Sequence, residues 1–132
     1  MIEGTMQACY LTITTTADGV ETKVSKTAEI NLGIQSAELR YQDEGAFVHL
    51  SLRGESVTIE RQGDYTLFLS LNRGETTVGT VGIGGSYGEI RLYTHKVQYT
   101  LNEESLLLLL RYDMLIGEET QEMSLRLLAK LK

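Results

Sequence analysis

Residues 37–71 read AELRYQDEGAFVHLSLRGESVTIERQGDYTLFLSL. Ala37, Leu39 and Tyr41 fall at every second position, then Val48, Leu50 and Leu52, then Val57, Ile59 and Arg61, then Tyr65, Leu67, Leu69 and Leu71. A two-residue period places these side chains on one face of a strand, and polar residues between them occupy the other. The breaks fall at Gly45, Arg53-Gly54 and Gly63-Asp64, residues that supply the tight turns of β-hairpins. The stretch is therefore a run of consecutive antiparallel hairpins, each presenting one apolar face.

The same habit extends in both directions. Upstream lie Cys9 to Thr15, with Cys9, Leu11 and Ile13 in phase, and Val20 to Leu32, with Val20, Val24, Ala28, Ile30 and Leu32 in phase and a bend expected near Lys26. Downstream come Thr76 to Val81, where Gly79 marks a bulge or close contact, then Glu89 to Thr100, its inner face Ile90, Leu92 and Thr94. Leu106 to Leu115 follows, and then Thr120 to Leu131, with Met123, Leu125, Leu127, Ala129 and Leu131 in phase. Proline is absent, so glycine and Asx residues carry the punctuation. Hairpins with one apolar face bury it in a two-sheet sandwich or in a closed barrel, and alternation alone does not separate the two. Closure removes exposed sheet edges that this chain does little to guard. The expectation is one all-β domain over residues 1–132, a closed antiparallel barrel of about 8 to 10 strands.

Composition narrows the function classes. A chain of 132 residues with 42% hydrophobic content builds one core without metal or disulfide staples. Its net charge of −6 disfavours nucleic acid and anionic lipid. Cys9 is the single cysteine, with no intramolecular partner, and among apolar neighbours it reads as a buried, inert thiol. Met1 to Ala8 shows no basic and apolar leader, so a cytoplasmic location is expected. The longest apolar run, Leu106 to Leu110, is far below the roughly 20 residues of a spanning helix, so no membrane partner is expected.

No catalytic constellation emerges. Gly84-Gly85-Ser86-Tyr87-Gly88 matches the spacing of a nucleophile elbow, but that elbow needs a following helix and a downstream acid and histidine in order. Here a strand follows, and His95 precedes Asp113, so the stretch reads as a glycine-rich hairpin. Tyr87 stands where a dinucleotide fingerprint needs its third glycine. His49, His95 and Cys9 lack metal-ligand spacing, so neither a metal nor a cofactor is expected. His49 is out of phase with Val48 and Leu50 and reads as an outward, solvated side chain; Arg91 and Tyr93 are likewise outward. The carboxylate pairs Asp43-Glu44, Glu103-Glu104 and Glu118-Glu119 fall at turns, where solvent leaves them no pocket for acid–base work.

Polar residues in phase with apolar faces are more informative, and Lys26, Tyr41, Arg61, Thr94 and Tyr112 are of this kind. An inward Arg61 sits at the barrel mouth, meets a carboxylate, or receives an anionic ligand, because an unpartnered buried charge is costly. Tyr41 and Tyr112 bring rings that line a cavity and hydroxyls that orient a polar group. Arg61, Tyr41, Thr94 and Tyr112 are thus the candidate ligand contacts for a small, partly apolar or anionic molecule. In the five-leucine run, Leu107 and Leu109 oppose the phase of Leu108, Leu110 and Tyr112, which makes a second apolar face. Such a face points to a covering segment or to a homodimer with a filled barrel.

The order of Leu39-x-Tyr41 with Asp43-Glu44, Arg61-x-Gly63, Gly74, Tyr87-Gly88 with Thr94, and Tyr112-Asp113-Met114-x-x-Gly117 resembles the YwiB-like family of bacterial calycin-like β-barrels. The resemblance runs from about Leu11 to the C-terminus. It implies a lipocalin-like closed barrel of eight to ten strands, and it brings no catalytic residue and no ligand of known identity. The chain departs from the family pattern at Leu71, where an aromatic is usual, and in the glycine content of Gly82 to Gly88.

Overall fold

A computed structural model describes residues 5–132; Met1 to Gly4, part of the stretch read above for a leader, lie outside the described residues. Ten strands follow one another: β1 (Gln7–Ala17), β2 (Val20–Leu32), β3 (Ser36–Asp43), β4 (Ala46–Arg53), β5 (Ser56–Gln62), β6 (Tyr65–Asn72), β7 (Thr76–Ile83), β8 (Ser86–Leu101), β9 (Ser105–Ile116) and β10 (Glu119–Leu131). Each pairs antiparallel with its sequence neighbours, and β1 pairs with β10, so the meander closes into a barrel. The sandwich alternative is thereby settled in favour of closure.

Five turns mark one end, called upper here: Asp18-Gly19, Glu44-Gly45, Gly63-Asp64, Gly84-Gly85 and Gly117-Glu118. Asp18 and Gly19 (φ 49° and 85°), Glu44 and Gly45 (50° and 82°) and Gly84 and Gly85 (56° and 85°) all lie in the left-handed region. Paired positive φ values are those of type I′ turns, whose twist matches that of the strands they join.

The predicted phases point inward. Leu11, Ile30, Leu39, Leu50, Leu52, Val57, Leu71, Leu92, Leu106, Leu108 and Leu127 are sealed from solvent and pack as one cluster. Cys9 belongs to that cluster, and burial raises its thiol pKa, as an inert role requires. Gly79 is a close-contact point. A Cβ there would stand 2.6 Å from the Phe68 carbonyl oxygen and 3.0 Å from Leu69 Cδ2.

Two details depart from expectation. β2 runs unbroken through Lys26, without the expected bend. In β8 the ladder to β9 shifts between Thr94 and Lys96, a β-bulge at His95 that turns Val97, Tyr99 and Leu101 inward in place of even-numbered positions. The alternation Val97-x-Tyr99-x-Leu101 carried that signal.

Two seams are incomplete. β2 and β3 share only four register pairs, Glu29↔Arg40 to Leu32↔Ala37, and part toward the upper end. β6 and β7 share only Tyr65↔Ile83 to Phe68↔Thr80, and part toward the lower end. The lower seam is laced by the Thr77 hydroxyl, which donates to the Ser70 carbonyl. The Gly74 amide donates to the Thr94 carbonyl (2.8 Å) and the Thr94 amide to the Glu75 carbonyl (3.2 Å), which ties the β6–β7 turn to β8. The upper seam is bridged by one side chain, described next.

Candidate functional site: the upper half of the barrel

Accessibility inside the barrel is graded. Moving up β9, Leu106, Leu108, Leu110 and Tyr112 are buried, Met114 is half-buried and Ile116 is exposed. Moving up β10, Ala129 and Leu127 are buried and Leu125 and Met123 are half-buried. β2, β3, β6, β7 and β8 repeat the trend, with Lys26, Tyr41, Leu67, Val81 and Ile90 half-buried above sealed neighbours. β4 is the exception, since Ala46 and Val48 stay buried to the top. The interior is therefore a packed plug through its middle and lower part, and solvent reaches the same inward phase above it, in the region called the cup here.

Tyr41 and Arg61 stand on one wall of the cup. Both are in register with Val48 of the strand between them, which puts their backbones two inter-strand spacings apart, about 10 Å. Thr94 and Tyr112 are direct register partners on another part of the wall, at the level of the floor. The four predicted contacts are thus inward in phase and arranged as two pairs.

Arg61 meets a carboxylate. Its guanidinium donates to Asp64 Oδ1 at 3.0 Å and to the Tyr65 carbonyl at 2.9 Å, and lies 3.7 Å from the centroid of the Tyr65 ring. The hydrogen bond from Arg61 is the main reason the Asp64 carboxyl is held below its ordinary pKa. Asp64 itself is exposed, so this latch is one that solvent screens.

Lys26 donates to Asp43 Oδ1 at 3.0 Å and to the Gln42 carbonyl at 2.7 Å, which ties β2 to β3 across the upper seam. Asp43 was expected to be a solvated turn carboxylate. It is instead the partner of an inward lysine, whose buried stem needs a counter-charge.

The tyrosines are protonated donors. Burial, and then the nearby Asp43 charge, pushes Tyr41 up to about 12. Burial alone takes Tyr112 up to about 12. The Thr94 hydroxyl is fully buried and has no hydrogen-bond partner among the described residues. Leaving such a group unpaired costs about 1–3 kcal/mol.

On the outer wall, His49 is less solvated than expected. It sits in register between Arg40 and Glu60 in a groove of about 400 Å³ that Phe47 also lines, with its Nε2 buried and 3.9 Å from a Glu38 carboxylate oxygen. His95 and Asp113, dismissed above as an elbow's partners, do meet: Nε2 and Oδ2 are 2.8 Å apart, with the Tyr93 ring edge-on at 4.8 Å. Ser86 opens β8 at the upper turn, paired with Ile83, while His95 sits at the bulge in mid-strand, so the three do not assemble. Leu107 and Leu109 are outward as expected but only half-exposed, beside Leu128, which is the register partner of Leu107.

Comparison with known proteins decides the family. The model of the domain of unknown function DUF1934 matches residues 11–127. The chain belongs to the DUF1934 family. Its barrel also superposes on the crystal structure of the YwiB protein from Bacillus subtilis with a TM-score of 0.81, at 16% identity, over 96% of this chain and 93% of that one. At that identity the likeness shows the fold, and it agrees with the resemblance read from Tyr41, Arg61, Gly74 and Tyr112. A comparison with curated proteins returned no match. Within this DUF1934 barrel no group of three His, Cys, Asp or Glu side chains among the described residues is placed to hold a metal ion.

Proposed function

We propose that this DUF1934 barrel binds a small, partly apolar molecule in its upper cup, with an anionic or hydrogen-bonding group directed at Arg61 and Tyr41. The observation that carries the reading is the gradient of accessibility. The same inward phase that is sealed at Leu108 and Leu127 is open to solvent at Met114 and Met123. Flexible methionine side chains suit a wall that adapts to a guest. The unpaired Thr94 hydroxyl beside the protonated Tyr112 supplies a polar point at the floor. Arg61 is available at little cost, because its partner Asp64 is exposed and an incoming carboxylate or phosphate would replace like with like.

Native mass spectrometry of the purified protein, with thermal-shift screening of a panel of carboxylates, phosphate esters and uncharged amphiphiles, tests the reading. A retained or added ligand, weakened about tenfold by Arg61→Ala or Tyr41→Phe, is the expected result. A bare mass together with a flat panel would remove it.

A second reading rests on the outer wall. Leu107, Leu109 and Leu128 form a cross-strand apolar patch that no described residue covers fully, which suits a symmetric homodimer. Analytical ultracentrifugation decides it, since a monomer across the accessible concentration range would rule it out. We assign no catalytic step, because the His95–Asp113 pair lacks a nucleophile in register and lies outside the cup.

A further inference from the structure

The two ends of the barrel differ in what they show to solvent. Val20, Phe47, Ile83, Tyr87 and Ile116 are each more than half exposed, and each flanks one of four upper turns. The fifth upper turn is flanked by Tyr65, partly exposed and stacked on Arg61. The lower turns carry one exposed large apolar residue among those described, Ile34. Side chains scattered singly would need no explanation, but a ring of them on consecutive hairpins marks an interaction surface.

Charge at the same end is one-sided. The upper turns and the strand residues next to them contain Asp18, Asp43, Glu44, Asp64, Glu118 and Glu119, and neither Lys nor Arg. Asp43 and Asp64 are taken up by Lys26 and Arg61, whereas Glu44, Glu118 and Glu119 have no ion pair among the described residues. At the lower end Glu55 is paired with Arg73, 3.6 Å away, and Glu75, Glu103 and Glu104 have no ion pair among the described residues, but Arg53 and Arg73 stand at those turns, so the upper end differs in having no cation in its turns. Three of the upper hairpins close in rigid I′ turns, so the surface exists before any partner arrives.

From this juxtaposition of an apolar ring and unpaired acidic tips, we infer that the upper rim docks a basic, amphipathic polypeptide segment of another protein. Apolar side chains of the segment rest on Ile83, Tyr87 and Ile116, and its lysines or arginines reach the carboxylates of Glu44, Glu118 and Glu119. An anionic membrane fits the apolar ring but is repelled by those same tips. The inference does not depend on a ligand in the cup, although a docked segment would lie across its mouth.

Titrating the full ¹⁵N-labelled protein with a synthetic leucine–lysine amphipathic peptide tests it, with a leucine–glutamate peptide and zwitterionic and anionic vesicles as parallel arms. Shifts should concentrate on the upper hairpins for the leucine–lysine peptide alone. Affinity should fall about tenfold in the double variant Ile83→Asn, Tyr87→Ser, both exposed enough to leave folding intact. Glu118→Lys with Glu119→Lys should weaken binding far more than Glu103→Lys with Glu104→Lys, which changes the net charge equally at the other end. Equal loss in the two charge-reversal variants, or shifts spread over the whole acidic surface, would reduce the effect to net charge and overturn the inference. Binding of either vesicle in preference to the peptide would overturn it in favour of lipid.

Discussion

The lower and upper halves of this barrel are built from the same strands with the same alternation, yet they have opposite physical characters. Below, leucines from facing walls meet in the middle and exclude water, as at Leu50, Leu71, Leu108 and Leu127. Above, the walls carry Met114, Met123, Val81 and Ile90, which water still reaches, and the inward charges Lys26 and Arg61 with carboxylates at their sides. The difference teaches that a barrel can keep its sealed packing and its solvent-reached polar side chains in separate places. Packing density in the plug holds the fold, so the cup is free to carry polar side chains that would be ruinous lower down.

The sharpest way to break this division is to truncate one side chain in each half. Leu108→Ala should cost about 2–5 kcal/mol in a urea titration, the range for a sealed leucine whose cavity does not refill. Met114→Ala, six positions further up the same strand, should cost about 1 kcal/mol or less, as its side chain is already half in water. Equal losses would mean the upper interior is as tightly packed as the lower, and the cup would have no basis.

Gly79 lies where the two halves join, in register with Ile90 and pressed on by Leu69 and Leu92. A valine there must displace the Phe68 backbone carbonyl, which cannot swing aside as a flexible side chain could. The expected loss is about 1–3 kcal/mol, typical of overpacking, read as a lowered Tm. No change in Tm would show that the wall at this level is looser than the contact distances indicate.

The last effect shows only at alkaline pH, and it sharpens the account of the two inward tyrosines. Tyr41 and Tyr112 ionise near 12 when folded, against an ordinary value of about 10. A raised folded pKa means that the unfolded chain loses these protons first. The stabilisation is therefore complete below about pH 10 and is lost as the pH climbs toward about 12. Denaturant titrations across that window should show stability falling more steeply in the natural protein than in Tyr112→Phe, and ultraviolet titration should show tyrosinate forming late.

Much of this was legible in the sequence because the strand period is so short. A residue two places from Leu50 must share its side, and the segment from Ala37 to Leu71 sets four staves without ambiguity. Height along the barrel axis was not legible. Leu67 and Leu71 are identical as letters, and only the stagger of neighbouring strands makes one half-buried and the other sealed. The bulge at His95 has no glycine to mark it, and its trace in the sequence is only the switch of apolar phase from Ile90 and Leu92 to Val97, Tyr99 and Leu101. Partners of the inward cations divided along the same line. Asp64 is three residues from Arg61 and within reach of inspection, whereas Asp43 finds Lys26 only through the parting of β2 from β3.

The pairing of β1 with β10 has a consequence for how the molecule is made. A chain emerging from the ribosome can form its hairpins one after another, but Cys9 to Ala17 must wait for Met123 to Leu131 before the circuit of hydrogen bonds is complete. Until the final stave leaves the exit tunnel, the nascent sheet has two raw borders, so it stays vulnerable for as long as β1 waits for β10.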